Sequence, residues 1–119
     1  MHWYACMLDF GTDSLEKYMD VLATRQKLVA SNIANADTPG YHTQDVDFQT
    51  EFNNRLNGTP AMNAQEVSGL RVKNDGNNVS VDREARLLSE NAIRFSAAEN
   101  LMKSQLKTLK SAVHDGAAS

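Results

Sequence analysis

The sequence predicts a mainly α-helical protein in which two long terminal helices form a coiled-coil-like pair around a short middle segment. Two observations predict the pair, because an apolar seam with alternating spacings of four and three residues lies towards each end of the chain. A third is the middle region, which is rich in turn-forming residues and is expected to hold a loop and a β-hairpin. Because such seams need partner helices, the free monomer is expected to be partly disordered.

The first helix is expected from Ser14 to Asn35, with Asp13 as its N-cap and Glu16 completing a capping box. Its seam has one polar interruption, Gln26, and its apolar members are Leu15, Met19, Leu22, Val29 and Ile33. A seam this narrow is typical of a helix that packs on one partner helix.

The second helix is expected from Asp82 to His114, with Gly116 as its stop. Its seam has Glu99 as the single charged exception, and the other members are Leu88, Ala92, Phe95, Met102, Leu106, Leu109 and Val113. Such a helix would be roughly 50 Å long, so a small domain cannot cover it along its whole length.

Between the helices, the segment from Ser31 to Phe48 predicts a sharp change of direction. Asn35 is expected to close the first helix in a left-handed conformation, and Pro39 cannot continue it. Thr38 to Tyr41 fits a type II turn, because Pro39 presets the second position and Gly40 accepts a positive φ at the third. The chain should then leave as a strand with Gln44, Val46 and Phe48 on one face.

The middle of the chain predicts irregular structure followed by a hairpin. Residues 53–68 lack periodicity and are interpreted as a mobile loop. Residues 70–73 and 78–81 are predicted to pair as strands, with the turn at Asp75 and Gly76. The chain thus divides into a flexible extension (1–12), a first helix with its turn (13–52), a variable middle (53–81) and a second helix (82–119).

Composition limits the function classes. The chain has 119 residues, 41% of them hydrophobic and only 7% aromatic, which indicates one domain with a modest core. The net charge of −3 gives no basic surface, so nucleic acid is disfavoured as a partner. Cys6 is the single cysteine, which excludes an internal disulfide framework. The opening MHWYACMLDF lacks a basic region and a long apolar run, so neither a cleaved signal peptide nor membrane insertion is expected.

No catalytic, cofactor-binding or metal site is predicted. His42 would face away from Asp45 and Asp47 in a strand, so a solvated polar face is favoured over a metal site. The second helix carries glutamates that are interpreted as solvated charges, namely Glu84, Glu90 and Glu99. None of the common nucleophile, metalloprotease or phosphate-binding motifs occurs, and an enzyme is therefore disfavoured.

The two asparagines at the end of the first helix have two possible roles. Asn32 and Asn35 could close unpaired carbonyl groups at the helix end, or they could bond across a subunit boundary. Local capping is favoured, since an asparagine at a helix C-terminus already has a physical reason to be there. Tyr41 and Phe48 are interpreted as packing residues.

Two separated motifs carry a resemblance to a known family. The run SNIANADTPGY followed by DVDF resembles the N-terminal signature of bacterial flagellar rod proteins, in particular those of the proximal rod. Residues 75–95, DGNNVSVDREARLLSENAIRF, resemble the C-terminal signature of the same family. Together the motifs cover about half of the chain, in the expected order.

The resemblance implies a structural subunit of the flagellar basal body that assembles with itself and with other rod proteins into the torque-transmitting shaft. Further implied partners are the component that joins the rod to the membrane ring and the type III export apparatus, with a periplasmic location reached without a cleaved signal peptide. The implied assembly interface comprises Leu15, Met19, Leu22, Val29, Asn32, Ile33, Asn35, Pro39, Gly40, Tyr41, Leu88, Phe95, Met102, Leu106, Leu109 and Val113.

Two other classes fit part of the pattern. A soluble helical adaptor or export chaperone would share the seams, but it would form a closed oligomer and would not need SNIANADTPGY. A small hydrolase acting on the cell wall would need a pair of carboxylates across a cleft.

Overall fold

The computed structural model describes residues 2–59 and 63–118. In chain order the elements are α1 (His2–Ala34), β1 (Gln44–Asp45), α2 (Phe48–Leu56), β2 (Gln65–Glu66) and α3 (Val81–Ala118). The molecule is elongated, with extents of 71 × 25 × 17 Å. The predicted mainly helical fold, with two long helices around a short strand pair, is confirmed. The side chain of Cys6 and residues 60–62 of the predicted loop lie outside the described residues.

The first helix begins earlier than predicted. Because α1 starts at His2, Asp13 lies inside the helix, where it pairs with Lys17 at 2.9 Å instead of capping a helix start. No proline interrupts residues 2–12, and Gly11 packs closely on α3, since a Cβ at Gly11 would lie 3.1 Å from Nε2 of Gln105. The helix therefore continues along α3 beyond the predicted cap.

The end of α1 and the turn after it follow local chemistry closely. The helix ends at Ala34, and the backbone N–H of Tyr41 donates to the carbonyl oxygen of Thr38 across the predicted turn, at 3.2 Å. Gly40 has a φ of 74°, as a type II turn requires. The left-handed conformation predicted for Asn35 is wrong, because positive φ angles among the described residues belong to glycines alone.

A short helix replaces the strand predicted to continue to Phe48. Asp47 caps α2 by accepting a hydrogen bond from the backbone N–H of Thr50, whose hydroxyl donates to the same carboxylate at 2.9 Å. The rings of Phe48 and Phe52 each meet Tyr18 of α1 edge to face, at 5.2 and 5.6 Å between ring centres. Residues 53–56, predicted as loop, therefore belong to a helix anchored on α1.

The β-hairpin predicted over residues 70–81 is wrong, although its turn is present. The backbone N–H of Gly76 donates to the carbonyl of Lys73 at 2.9 Å, which closes the turn. The N–H of Lys73 donates to the carbonyl of Asn77 across the turn at 2.8 Å, but the pairing does not continue, because the N–H of Asn78 donates to the carbonyl of Tyr41 at 3.2 Å. The strands that do pair are β1 and β2, which run antiparallel with Gln44 opposite Glu66.

The core lies around the middle of α1, on which β1, α2 and α3 pack. Its buried apolar side chains are Val21, Leu22, Val29, Val46, Val79 and Ala98. The predicted stop at Gly116 is also wrong, since α3 continues to Ala118. A glycine lowers helix stability but ends a helix only where its backbone turns left-handed, and Gly116 is not among the residues with a positive φ.

α3 packs on α1 through a row of residues that lies beside the predicted seam. The face towards α1 carries the buried residues Glu84, Asn91 and Ala98, and further along α3 Thr12 of α1 donates to Gln105 at 3.4 Å. Met102 and Leu109 of the predicted seam are half-buried, whereas other members are more exposed, with fractions of 38% for Leu88, 37% for Phe95, 49% for Leu106 and 64% for Val113. These four residues and Ala92 are named the outer seam, and they lie roughly 60° around the helix from the α1-facing side.

Candidate functional site

Asn32 lies at the centre of a buried polar network, although it was predicted as a local helix cap. Its side chain is 1% exposed and is fully satisfied by hydrogen bonds. The amide nitrogen donates to the carbonyl of Gln44 at 2.8 Å and to Oε2 of Glu84 at 3.1 Å. The amide oxygen accepts from the hydroxyl of Tyr41 at 3.0 Å and from the N–H of Gln44 at 3.1 Å. One side chain thus joins α1, the turn, β1 and α3.

Glu84, predicted as a solvated charge, is fully buried at the start of α3. Its second oxygen accepts from Arg83 at 2.6 Å, and Arg83 also donates to Asp45 at 3.0 Å. Arg25 of α1 donates to both oxygens of Asp45, at 3.1 and 3.2 Å. The chain of two carboxylates and two guanidinium groups has no net charge, which is the condition under which buried ions are tolerated.

The turn before α3 adds a second set of buried amides. The side chain of Asn77 donates to the carbonyls of Asn35 and Thr38, both at 2.8 Å. The side-chain oxygen of Asn78 accepts from the N–H of Thr43 at 2.6 Å. These two asparagines bond the turn and the strand that follow α1, whereas the last carbonyl groups of α1 are closed locally, by the N–H of Asn35 and of Ala36 and by the side chain of Asn35 on Ser31 at 2.8 Å.

Together these contacts form the polar junction, defined here as Arg25, Asn32, Tyr41, Thr43, Asp45, Asn77, Asn78, Arg83 and Glu84. Asn32, Tyr41, Thr43 and Asp45 belong to the segment from Ser31 to Phe48, and Arg25 precedes them in α1. The other members belong to residues 75–95. The two sequence motifs are therefore two sides of one structure. The arrangement holds four segments of the chain together and has the character of a structural clasp.

Two glycines bring the sides of the clasp into backbone contact. Gly76 has a φ of 86°, and a Cβ there would lie 3.3 Å from the Cα of Gly40. The N–H of Gly40 donates to the carbonyl of Asp75 at 2.9 Å. Both a left-handed conformation and close approach therefore require glycine at position 76.

We expect Gly76→Ala to lower the free energy of unfolding by about 2 kcal/mol, from backbone strain plus the close contact with Gly40. Gly58→Ala is the matched control, because Gly58 has a similar φ of 85° but open space around it. Its expected cost is about 1 kcal/mol. Urea unfolding followed by circular dichroism measures both values, and equal costs would contradict the close packing of the two turns.

The residues once considered for metal binding or catalysis have other contacts. The ring nitrogen Nδ1 of His42 lies 3.4 Å from Glu66, and Asp45 is occupied by Arg25 and Arg83. Glu90 and Glu99 form pairs within α3, with Arg94 at 2.6 Å and Lys103 at 3.3 Å. Among the side chains that the structure describes, in residues 11–59 and 63–116, no three potential metal ligands of the His, Cys, Asp or Glu type come together.

The outer seam borders an open groove between α1 and α3, of about 610 Å³. Leu22, Ala23 and Gln26 form its α1 wall, and Asn91, Ala92 and Phe95 form its α3 wall. The groove continues past Met19 and Met102. A second, smaller groove on the other side of α3 is bordered by Ile93 and Leu101, two exposed apolar residues that the seam pattern missed. α3 is thus apolar on both flanks of its contact with α1.

Comparison with known proteins gives the family. A family model described as flagella basal body rod protein matches residues 19–42, which include Asn32 and Tyr41 of the polar junction. The flagellar basal body rod protein FlgB of Salmonella typhimurium is 30% identical over an alignment of 133 positions, which covers 92% of this chain and 96% of the relative. The chain belongs to the FlgB family of flagellar basal-body rod proteins.

Two further relatives extend the same match. The FlgB rod protein of Borrelia hermsii is 29% identical, with 87% of this chain and 95% of the relative covered. That of Escherichia coli K12 is 26% identical, with 92% and 96% covered. Because these matches cover most of both chains, the FlgB likeness includes α1, the polar junction and α3 together.

The interface residues implied by rod-family likeness fall into distinct groups in the structure. Leu22, Val29 and Asn32 are buried inside the chain, so in this conformation they contribute to its core. Half-buried members are Leu15, Met19, Asn35, Tyr41, Met102 and Leu109, and exposed members are Ile33, Pro39, Gly40, Leu88, Phe95, Leu106 and Val113. Across the described part of the chain, no helix has both the length and the apolar character needed to cross a bilayer.

Proposed function

We propose that the chain is a structural, non-enzymatic subunit of the proximal rod of the bacterial flagellum. In this role it assembles with further copies and with other rod proteins into the shaft that transmits torque. Its further partners are the component that joins the rod to the membrane ring and the type III export apparatus, through which it reaches the periplasm without a cleaved signal peptide. The names of its relatives support the rod assignment.

One observation carries the assembly role: α3 leaves its most apolar row of side chains uncovered. The outer seam extends from Leu88 to Val113, and Leu106 and Val113 at its far end are the more exposed members. Exposed apolar patches of this length on a soluble chain mark contact surfaces. We propose that the seam and its half-buried neighbours Met102 and Leu109 are buried by adjacent subunits.

The contact between copies is proposed to be heterologous, because the two flanks of α3 differ in shape and composition. One flank has the large groove beside Phe95, and the other presents Ile93 and Leu101. A head-to-tail contact between unlike surfaces repeats without closing and produces a helical filament. Other neighbours are proposed to contact the remaining half-buried and exposed residues. In the turn these are Asn35, Pro39, Gly40 and Tyr41, and in α1 they are Leu15, Met19 and Ile33.

We also propose that the distal parts of the helical pair become ordered only in the assembled rod. Residues 11–20 of α1 and 99–116 of α3 include no fully buried residue. Helices in proteins gain most of their stability from tertiary packing, so this sparsely buried part of the helical pair is only marginally stable in the free chain. The division into an extension (1–12), a helix with its turn (13–52), a variable middle (53–81) and a second helix (82–119) remains part of this proposal.

Circular dichroism tests the ordering. At low concentration the free chain is expected to show less helix than the structure contains and a broad thermal transition, because only the region around the polar junction is well buried. Assembly with rod partners is expected to raise the helical signal. A free chain that is already fully helical and melts sharply would contradict this proposal.

The rod assignment itself is tested by measuring whether the chain is present in purified basal bodies. Basal bodies purified from the source bacterium are expected to contain the chain, and a strain lacking it is expected to form no complete rod. A closed oligomer in sedimentation, with no chain in basal bodies, would instead support the soluble adaptor alternative.

A further inference from the structure

α3 has two faces that compete for α1. The face in contact with α1 carries Glu84, Asn91 and Gln105 beside the small side chain of Ala98, and its larger apolar residues, Leu87, Met102 and Leu109, are only half-buried. The outer seam offers five apolar side chains, including the ring of Phe95. Burial of apolar surface is the dominant favourable term in helix packing, so a free pairing of the two helices would turn the outer seam towards α1. In the structure the outer seam is instead turned roughly 60° away from the side that meets α1.

Glu84 is the residue that ties the rotation of α3 to α1. It lies in the first turn of the helix, where its N–H donates to the carbonyl of Ser80 at 3.0 Å. Its carboxylate is fully buried and reaches Asn32 at 3.1 Å, across 52 residues of sequence. If α3 turned by one residue, the carboxylate would leave Asn32, and buried hydrogen-bond partners on both sides would be lost.

We propose that the polar junction is a rotational lock. The bond between Asn32 and Glu84 holds α3 in the rotation that buries its more polar face and keeps the outer seam available on the surface. Buried polar pairs of this kind fix the register of packed helices at some cost in stability. That the available seam serves a neighbouring subunit rests on the function proposed above, whereas the lock itself is a property of the single chain.

Thiol accessibility reports the rotation directly. In a Cys6→Ser background, Ala92→Cys and Ala98→Cys are matched single reporters, because they replace the same small residue on the same helix. Ala92 is exposed in the outer seam, and Ala98 is buried against α1. With the lock intact, a maleimide is expected to modify Cys at position 92 several-fold faster than Cys at position 98.

The test variant is Glu84→Met, which keeps the length of the side chain and removes the acceptor for Asn32. It is expected to reverse the order of the two labelling rates, since α3 is then free to bury its outer seam. Glu84→Gln keeps an oxygen that accepts from Asn32 and is expected to retain the original order. An unchanged order in Glu84→Met, or faster labelling at position 98 with Glu84 present, would overturn the lock.

A second variant keeps the inference testable if Glu84→Met does not fold. Ala92→Gln combined with Leu106→Gln leaves the junction intact and alters only exposed positions of the outer seam. If the lock holds the seam outward, the melting temperature changes by no more than about 4 °C, as is usual for surface changes. A fall of the melting temperature well beyond this range would mean that the seam is buried in the free chain, and it would overturn the lock.

These readouts separate the lock from the proposed function. All of them are made on the isolated chain, and none requires a flagellum. A labelling order other than the expected one would disprove the lock without affecting the proposed rod role. Absence of the chain from basal bodies would disprove the rod role without affecting the lock.

Discussion

A strain whose only copy of the chain carries Leu106→Asp is expected not to swim, although the protein is made at its normal level. Leu106 is 49% exposed in the outer seam, so the change has little effect on the single chain. In an assembled rod, the aspartate would lie in an apolar contact without a partner. Burying an unpaired charge costs about 3 kcal/mol or more per contact, which corresponds to at least about a hundredfold loss of affinity. Swimming in soft agar measures the result.

Ser104→Asp is the matched control for this change. It adds the same charge two residues earlier on the same helix, at an exposed position on another face of α3. The control strain is expected to swim normally, and immunoblots should show equal amounts of both variants. Normal swimming of Leu106→Asp, or equal failure of both strains, would contradict assembly through the outer seam.

Asn32→Ala is expected to lower the free energy of unfolding by about 4 kcal/mol. The alanine would leave both backbone groups of Gln44 without their partner and would remove one donor from the buried carboxylate of Glu84, whereas the hydroxyl of Tyr41 keeps the Ser31 hydroxyl at 3.4 Å. Each buried polar group left unpaired costs about 1–3 kcal/mol, and partial access of water reduces the sum. Urea unfolding followed at 222 nm measures the loss.

Asn35→Ala is the control, because it removes the same side chain from the same end of α1. The bonds of Asn35 to Ser31 and Thr38 are exposed, so water replaces them. Its expected cost is below about 1 kcal/mol. Equal losses for the two variants would contradict the central place of Asn32 in the polar junction.

The features that the sequence predicted correctly depend on neighbouring residues. The turn from Thr38 to Tyr41 follows from Pro39 and Gly40 alone, and the positive φ of Gly40 confirms it. The two long helices follow from periodicity, which is a local property of each segment. α2 could have been found in the same way, since Asp47 stands three residues before Thr50 in a typical cap.

The features that were missed depend on contacts between distant parts of the chain. Asn32 resembles an ordinary cap until Glu84, 52 residues later, is placed beside it. The row of α3 that meets α1 was not predicted either, because it carries the polar residues Glu84 and Asn91 and so lacks an apolar pattern. A polar junction at one end of the helix sets its rotation, and hydrophobic periodicity carries no information about that constraint.

The β-hairpin predicted over residues 70–81 was also wrong because of contacts with a distant part of the chain. Residues 70–73 and 78–81 have the composition of paired strands, and the turn at Gly76 forms as predicted. However, the side chain of Asn77 bonds the turn that follows α1, and the side chain of Asn78 bonds Thr43. Side-chain amides that cap another segment compete with strand pairing, and the partner segment is invisible to a local pattern.

The most direct test of assembly through α3 is the amount of the chain in purified basal bodies. Three strains are compared, which carry the wild-type sequence, Leu106→Asp or Ser104→Asp. Quantitative mass spectrometry, scaled to a membrane-ring protein, gives the occupancy in each strain. We predict full occupancy for the wild type and Ser104→Asp, and near-zero occupancy for Leu106→Asp despite normal synthesis. Wild-type occupancy of Leu106→Asp would contradict a rod held together by the outer seam.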